Sequence, residues 1–293
     1  MAIRRLIPCW RSNYWRMAVV VWVFFGGGES EVRGFLPFLE KTFPGCTFER
    51  KTPVRQKPGP KPNKAASYGK TGKSLIDQIK QELPLALKAG PNRCDLILVF
   101  DDLDCRDSQK QKKKIKKILD EISKNIPEFA DIKKFGSGAE VRFFAFLILM
   151  HKGLYRIASL LLQDYQKFVG FAAPEIEAWI IADWNNSIAK HSDFRGRHKR
   201  MRWWLSTEKK VSFENPESFS EYDAEKDCCR EKLSDALYDS TIVQHESNLA
   251  QARFSKKLHT PSLLMAIDPN EVQKKCPLFR ELYNYLNNFY RSS

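Results

Sequence analysis

Three aspartates follow a strongly apolar run in the middle of the chain. Asp101, Asp102 and Asp104 come after residues 94–100, whose apolar and β-branched side chains predict a buried strand. Carboxylates at the C-terminal end of a strand lie where open α/β sheets bind their ligands. Hard cations such as Mg²⁺ bind carboxylate oxygens together with water and phosphate. The spacing predicts a site for Mg²⁺ or Mn²⁺, and the alternative is an acidic loop in which Asp104 begins the next helix.

Two further acidic pairs follow apolar runs. Glu29 and Glu31 come after the run 17–25 and three glycines, and Glu175 and Glu177 come after the run 168–173. Each pair is expected in the first turn of a helix, where an acid offsets the helix dipole by about 0.3–1 kcal/mol. That role accounts for Glu175. Glu177 has apolar neighbours and is a candidate catalytic residue, while Glu29 is a candidate metal ligand.

The chain is basic, with a formal net charge of +14. The charge is concentrated at residues 50–73, 110–117 and 195–204, and the last segment mixes cations with tryptophans, a combination that grips phosphates and stacks on bases. We therefore expect nucleic acid as a partner; the alternative is a solvated basic surface. The candidate phosphate ligands are Lys70, Lys73, Arg197, Lys199, Arg200, Lys256, Lys257 and His259.

The apolar runs alternate with segments of helical periodicity, such as 74–87. This alternation predicts an α/β fold with a mostly parallel, Rossmann-like sheet flanked by helices. The expected organisation is an upstream extension at 1–16, a domain at 17–185 that contains the basic loop 50–73 and an insertion at 134–167, and a helical C-terminal extension at 186–293.

Cysteine usage and hydropathy indicate a cytoplasmic chain that does not enter a membrane. The seven cysteines form no Cys-x-x-Cys pair, which predicts reduced thiols and argues against a zinc site. No cleavable leader is recognisable at the start. The most apolar stretch, 143–162, contains His151, Lys152 and Arg156 near its middle, and such charges are costly inside a bilayer.

Four segments occur in an order that resembles a known family. They are the strand and glycine turn at 19–30, the strand and acids at 96–104, the Glu177 and Trp179 motif at 173–183, and the segment 254–261 with the later Ile267-Asp268-Pro269 and Cys276-Pro277. Together they resemble, over residues 18 to 288, the Toprim-like family called domain of unknown function 4276. The resemblance implies a Toprim-like fold, Mg²⁺ held by Asp102 and Asp104, Glu177 as the helix carboxylate, and phosphodiester chemistry in defence beside an ATPase. This chain departs from the family at Phe25, where a Glu is expected before the glycines.

Two functions are therefore expected. In the first, the chain is a Mg²⁺-dependent Toprim-like nuclease: Asp102 and Asp104 hold the ion, Asp101 assists, Glu177 completes the set, and Lys257 and His259 neutralise developing charge. The alternative is a catalytically degenerate nucleic-acid-binding or partner subunit, because a Phe side chain neither binds metal nor accepts a proton. An ATPase partner would have to supply any ATP dependence, since residues 69–74 are not an intact nucleotide loop.

Overall fold

The computed structural model describes residues 19–26, 28, 31–54, 73–89, 94–124, 166–242 and 252–292. Four strands form one parallel sheet in the order β2-β1-β3-β4. The strands are β1 (Val19–Phe25), β2 (Cys46–Thr52), β3 (Leu96–Asp102) and β4 (Gln166–Ala172). A mostly parallel sheet flanked by helices and followed by a helical C-terminal part confirms the predicted α/β, Rossmann-like class.

Nine α-helices flank and follow the sheet in the described residues. They are α1 (Leu36–Thr42), α2 (Lys73–Ala89), α3 (Ser108–Lys124), α4 (Glu177–Ala182), α5 (His198–Thr207), α6 (Leu233–Ser240), α7 (Lys256–Ala266), α8 (Pro269–Lys275) and α9 (Pro277–Ser292). A π-helical turn, Glu31–Phe35, precedes α1. Two-residue strands, β5 (Tyr222–Asp223) and β6 (Cys228–Cys229), form a small antiparallel pair.

Both faces of the sheet are covered, so its strands are continuous apolar runs rather than alternating ones. Successive side chains on a strand point to opposite faces. On β3, Leu98 and Phe100 belong to the core that contains residues of α1, α4, α7 and α9, whereas Ile97 and Val99 belong to the core formed with α2 and α3. The same alternation places Asp102 on the first face and Asp101 on the second.

The strand order reverses direction between β1 and β3, since β2 lies on one side of β1 and β3 on the other. In open parallel sheets, ligands bind outside the carboxyl ends of the strands near such a reversal. The carboxyl end of β3 carries Asp102, and the segment after the neighbouring β4 runs into α4. This edge is therefore where the fold itself favours a site.

A close backbone contact holds α7 against the segment that follows β1. A Cβ atom on Gly34 would lie 2.8 Å from the Cα of Pro261 and 2.9 Å from Leu264 Cδ1. Real Cβ atoms do not approach so closely, so glycine is needed for α7 to pack at this distance. Because Pro261 is only five residues from Lys256, this contact positions the start of α7 at the sheet edge.

Two structural predictions need correction. Residues 50–52 belong to β2 and residue 73 begins α2, so the predicted loop 50–73 is shorter at both ends. Residues 166–167 belong to β4, so the predicted insertion does not extend to 167. The remainder of that insertion, the 1–16 extension, Glu29 and Lys70 lie outside the described residues.

Cys105 and Cys229 form a disulfide, so the expectation of reduced thiols is wrong for this pair. Their Cα atoms lie 5.0 Å apart although 124 residues separate them in sequence. The fold places the loop after β3 beside β6, which sequence spacing alone could not indicate. The free cysteines among the described residues are Cys46, Cys94, Cys228 and Cys276.

Across the described residues, none of the helices combines the length and the apolar character that crossing a membrane requires. The apolar stretch 143–162 lies outside those residues.

Candidate active site

Three buried carboxylates surround one lysine ammonium at the carboxyl edge of the sheet. Lys256 Nζ lies 3.2 Å from Asp102 Oδ2, 3.4 Å from Glu175 Oε1 and 3.1 Å from Glu177 Oε2. We call Asp102, Glu175 and Glu177 the acidic triad. Their side chains are 5%, 5% and 0% exposed, while the lysine side chain is 30% exposed. The triad is thus almost closed to solvent, and the lysine enters it from the surface.

Asp102 connects the end of β3 to the start of α4. Its Oδ1 accepts a hydrogen bond of 3.0 Å from the backbone N–H of Ile176, which directly precedes α4. An acceptor at a helix start satisfies a backbone donor that has no partner within the helix. This contact fixes the carboxylate and leaves Oδ2 directed to Lys256.

Glu175 stabilises the start of a different helix from the one predicted. Helix α4 begins only at Glu177, so Glu175 precedes it and does not lie in its first turn. The Glu175 carboxylate instead accepts hydrogen bonds from the backbone N–H of Ser234 at 2.9 Å and from the Ser234 hydroxyl at 3.0 Å, near the start of α6. The interpretation of Glu175 as a dipole partner of its own helix was therefore wrong.

Glu177 is held by two residues one helical turn apart on α7. Its Oε1 accepts a hydrogen bond of 2.8 Å from the Thr260 hydroxyl, and its Oε2 forms the ion pair with Lys256. Residues at i and i+4 lie on one face of a helix, so α7 presents both groups to the same carboxylate. No hydrogen bond with suitable donor geometry reaches Oε2 among the described residues. Within the described residues, the partner of this fully buried oxygen is the Lys256 ammonium.

Burial and charge shift the two glutamates in opposite directions. Burial opposes the charged form of Glu175, but the Lys256 ammonium and the Ser234 donors outweigh it, and the pKa of Glu175 lies below its ordinary value. Burial dominates at Glu177, where Glu175 adds repulsion, so the pKa of Glu177 is raised despite Lys256 and Thr260. The triad therefore combines one firmly ionised glutamate with one that resists ionisation.

Asp101 and Asp104 were predicted to bind a metal together with Asp102, but the structure does not place them in the acidic triad. Strand alternation places Asp101 on the opposite face of the sheet from Asp102. Asp104 lies in the loop beyond β3 with a φ of 49°, and its carboxylate pairs with Arg106 at 3.2 Å. Arg106 also pairs with Asp227 at 3.1 Å, beside β6. Asp104 thus helps to fix the loop after β3 to the β5–β6 pair.

Phe25 occupies the end of β1 as a core residue. It is fully buried, and its ring packs edge-on against Phe35 with ring centroids 6.4 Å apart. Its carbonyl oxygen accepts a hydrogen bond of 3.1 Å from the Thr52 hydroxyl. At the end of β1, where the resembled family has a carboxylate, this chain contributes apolar packing.

The predicted phosphate ligands have several different environments. Lys256 contacts the acidic triad, and Arg197, only 9% exposed, donates to the backbone carbonyls of Asp193, Thr241 and Ala252. Both are engaged within the protein. Lys257, Lys199 and Arg200 are exposed, and Lys73 is the first residue of α2.

His259 is buried and bonded on both ring nitrogens. Its Nδ1 accepts from the backbone N–H of Ser255 at 2.8 Å, which leaves the Nε2 proton for Asp193 Oδ2 at 3.2 Å. That hydrogen bond contributes most to a lowered pKa of Asp193. The predicted role of His259 in neutralising developing charge has no geometric support, because both ring nitrogens have partners in the protein.

A nearby serine and histidine do not form a nucleophilic pair. The Oγ of Ser262 lies 3.4 Å from His191 Nε2 and donates to the carbonyl of His259. The Nδ1 of His191 accepts from the backbone N–H of Asp193. The Nε2 atom therefore carries the proton of the neutral ring, so it is no base for the serine hydroxyl.

In its present arrangement the acidic triad is occupied by Lys256. Among the residues that the structure describes, no three or more His, Cys, Asp or Glu side chains are grouped so that they could hold a metal ion. The predicted Mg²⁺ or Mn²⁺ site therefore stays a prediction. Sequence reasoning found Asp102 and Glu177 but missed Glu175, Ser234 and Thr260, whose roles depend on contacts between distant segments.

Comparison with known proteins adds no relative to this description. No family model, no curated protein and no solved structure matches the chain. The resemblance to the Toprim-like family therefore remains a prediction from the motifs, and the case for function depends on the geometry of the acidic triad.

Proposed function

We propose that this protein is a metal-dependent phosphodiester hydrolase that acts on DNA or RNA. The observation that carries the proposal is the acidic triad: three buried carboxylates converge on one cation at the carboxyl edge of a parallel sheet. A divalent cation would favour the ionised form of all three carboxylates, including Glu177, whose pKa is raised beside Lys256 and Glu175. Asp102 ends β3, which borders the reversal of strand order, and this position supports a ligand site as well.

The residue types of the triad suit a divalent cation. Carboxylate oxygens are the ligands that Mg²⁺ and Mn²⁺ prefer, and Glu177 Oε2 is a fully buried oxygen that lies 3.1 Å from the Lys256 ammonium. Asp102, Glu175 and Glu177 would hold the ion only after Lys256 had left and their carboxylates had rearranged, because in the present arrangement no three such side chains of the described residues could hold a metal. A bound ion would polarise the phosphate and lower the pKa of an attacking water.

The surrounding residues support the proposal through preorganisation. The Ile176 N–H, Ser234 and the Thr260 hydroxyl each fix one member of the triad. Side chains locked by such contacts need little reorganisation when charge develops nearby. The exposed Lys257, which follows Lys256 in sequence, and the net charge of +14 would attract a phosphate-bearing substrate.

Two isosteric variants test the proposal. We expect Asp102→Asn to abolish Mg²⁺-dependent or Mn²⁺-dependent cleavage of labelled single-stranded DNA, duplex DNA or RNA. Asp104→Asn should retain most of the cleavage, because Asp104 pairs with Arg106 rather than with the triad. Cleavage would be followed on denaturing gels, with EDTA as the metal-free control. Absence of metal-dependent cleavage by the unmodified protein on all three substrates, or full activity of Asp102→Asn, would contradict the proposal.

A second candidate function is non-catalytic binding of nucleic acid, as a subunit that acts beside a partner such as an ATPase. Two observations favour it: Phe25 gives the end of β1 no carboxylate, and α5 carries an exposed aromatic beside exposed cations. Trp203 is 58% exposed and follows Arg200 and Lys199 by three and four residues, so all three lie on one helix face. Such a face suits stacking on a base while the cations contact phosphates.

Salt dependence distinguishes the second candidate from the first. For single strands, log K falls with log salt by roughly 0.7 for each phosphate contacted. The Lys199→Ala/Arg200→Ala variant should therefore reduce the slope by roughly 1.4 if each side chain contacts one phosphate, and binding should not require metal. Fluorescence anisotropy with labelled oligonucleotides over a salt series measures the slope. An unchanged slope would exclude this helix face as the binding surface.

A further inference from the structure

We propose that the exposed face of α3 is a binding surface for the phosphate backbone of a nucleic-acid duplex. This inference rests on the nucleic-acid partner of the proposed function, because it names the form of nucleic acid that the chain binds and the helix that binds it. It requires no metal, since lysine ammonium groups bind phosphates directly.

Helix α3 has one side in the core and one side that is basic. Ile115 and Leu119 are buried and belong to the core formed with α2. Positions three, four and seven apart lie on one face of a helix, and the face opposite Ile115 carries exposed lysines at this spacing. We call these residues the basic face: Lys110, Lys113, Lys114 and Lys117. The face extends about 10 Å along the helix, at about 1.5 Å per residue.

Acidic side chains compensate little of this charge within the part of the chain that the structure describes. Lys117 pairs with Glu121, but at 3.9 Å and with both side chains exposed. Lys110 and Lys113 form no ion pair with any described residue. The lysine of α3 that is firmly paired is Lys112, which is only 14% exposed and contacts Glu281. The ammonium groups on the basic face are therefore available to a ligand.

The basic face also opposes the stability of its own helix. Like charges three or four residues apart on a helix repel, and both Lys113 and Lys114 have this spacing from Lys110 and from Lys117. Lys110 lies in the first turn of α3, where the helix dipole disfavours a positive charge. Departures from local stability of this kind are expected where a surface serves function. A bound polyanion would compensate the repulsion.

The residue types favour a duplex over a single strand. Helix α3 contains no aromatic residue, so its face offers no platform for an unpaired base. In a duplex the bases stack on one another, and the phosphates carry one charge per about 1.7 Å of the axis. A face of ammonium groups alone matches such a backbone. It differs from α5, where the exposed Trp203 suits stacking on a base.

The same helix argues against an anionic membrane as the partner. A helix that lies on a membrane inserts an apolar face while its cations contact the headgroups. The apolar residues of α3 are instead engaged within the protein: Ile115 and Leu119 are buried, and Ile118 and Ile122 pack against the same core. The lysines that α3 presents outward are suited to phosphates and not to acyl chains.

The basic face begins near the edge of the sheet that carries the acidic triad. Asp102 ends β3 at this edge, and α3 starts at Ser108 after a short loop. The pKa of Asp227 is lowered chiefly by its hydrogen bond with Arg106 of this loop, and Lys114 also contributes, so the basic face lies near the β5–β6 pair. A duplex along α3 would therefore extend to the edge at which hydrolysis is proposed.

Binding of a labelled DNA duplex over a salt series, measured by fluorescence anisotropy in EDTA, tests this inference. For B-DNA, log K falls with log salt by about 0.9 for each phosphate contacted. The Lys110→Gln/Lys113→Gln/Lys117→Gln variant should therefore reduce the slope by about 2.7 and bind about tenfold or more weakly at low salt. A duplex of RNA in a parallel series shows whether the sugar matters.

A matched control separates the basic face from net charge. The Lys190→Gln/Lys210→Gln/Lys274→Gln variant removes the same charge from exposed positions on other elements and should reduce the slope by less than about 1. Equal changes in the two variants would overturn the inference. Tighter binding of a single strand, or binding to phosphatidylserine vesicles and not to a duplex, would overturn it as well. Because EDTA excludes metal, these outcomes are independent of the cleavage assay that tests the proposed function.

A second measurement needs no variant. The rate of amine labelling of Lys113 in the unmodified protein, followed by mass spectrometry of its peptide, should fall severalfold at saturating duplex. The labelling rate of Lys210 serves as the internal control and should change little. A constant Lys113 rate while anisotropy shows the duplex bound would place the duplex elsewhere and refute the inference.

Discussion

Removing the charge of Glu175 and removing the charge of Glu177 should change the free energy of unfolding in opposite directions. Glu175→Gln and Glu177→Gln are nearly isosteric with the native residues and lie two positions apart in the same site. The pKa of Glu175 is lowered and that of Glu177 is raised. At neutral pH the fold therefore favours the charged form of one residue and disfavours that of the other.

The magnitudes follow from the contacts of each carboxylate. Glu175 accepts two hydrogen bonds from Ser234 and pairs with Lys256, and a hydrogen bond to a charged group contributes about 1.5–3 kcal/mol. We expect Glu175→Gln to lower the free energy of unfolding by about 2 kcal/mol at pH 8. Glu177 is fully buried, and each unit by which burial raises a pKa is about 1.4 kcal/mol. Since a glutamine still accepts from Thr260, Glu177→Gln should have a higher free energy of unfolding than the unmodified protein at pH 8.

The dependence on pH distinguishes the two effects. A raised pKa contributes stability that is complete below the unfolded-state pKa and is lost as the pH rises through the folded-state pKa. The gain of Glu177→Gln should therefore shrink at pH 5. A lowered pKa contributes stability that is present above the unfolded-state pKa and is lost as the pH falls through the folded-state pKa. The deficit of Glu175→Gln should persist at pH 8 and diminish in acid.

Urea denaturation at pH 5 and pH 8, followed by circular dichroism, measures these differences for the three proteins. Metal must be removed with EDTA, because a bound cation would stabilise the charged form of both residues. Changes of the same sign in the two variants at pH 8 would refute the opposing electrostatics assigned to the triad. If the difference in stability between Glu177→Gln and the unmodified protein were the same at pH 5 and pH 8, the effect of burial on the pKa of Glu177 would be refuted.

Two further predictions concern the framework around the site. Gly34→Ala should lower the free energy of unfolding, measured by urea denaturation, by about 1–3 kcal/mol, because the added Cβ would overlap Pro261 and force α7 outward. A change below about 0.5 kcal/mol, the range of neutral surface substitutions, would contradict this packing. Burial raises the pKa of Glu217 to about 7 from 4.5, although the Leu278 and Phe279 N–H groups donate to it at the start of α9. The unmodified protein should therefore lose stability relative to Glu217→Gln as pH rises from 4.5 through 7, by at most about 3 kcal/mol. Parallel stability profiles of the two proteins over this range would show that Glu217 does not titrate in it.

Strands β1, β3 and β4 could be predicted because burial on both faces gives each of them a short, continuous apolar run in the sequence. Strand β3 has seven buried residues, and β1 and β4 each end in five. Strand β2 has only three buried residues and includes Glu49, Arg50 and Lys51. Strand β2 therefore resembles the charged loop that follows it in sequence, because its apolar positions are too few to indicate a strand.

The candidate site was predictable only in part, because spacing along the chain does not determine where side chains meet. The pair Asp102 and Asp104 suggested two carboxylates at one point, but the chain beyond β3 enters a left-handed turn and takes Asp104 to Arg106. Lys256 was recognised as basic, yet it contacts a carboxylate 154 residues earlier in the chain. No local pattern distinguishes a lysine that binds phosphate from one that neutralises buried acids.

The negative charge of the acidic triad opposes the approach of a phosphate unless a cation compensates it. The chain as a whole is strongly basic, which would draw a polyanion toward it, but the triad would repel a phosphate at the point where the fold favours a site. A phosphate can approach this edge only when the charge of the carboxylates is compensated. Lys256 compensates one of the three charges, and a divalent cation would compensate two. If a divalent cation takes the place of Lys256, as the proposed function requires, the metal-bound protein would therefore bind a phosphate at this edge more tightly than the metal-free protein, even before any bond is broken.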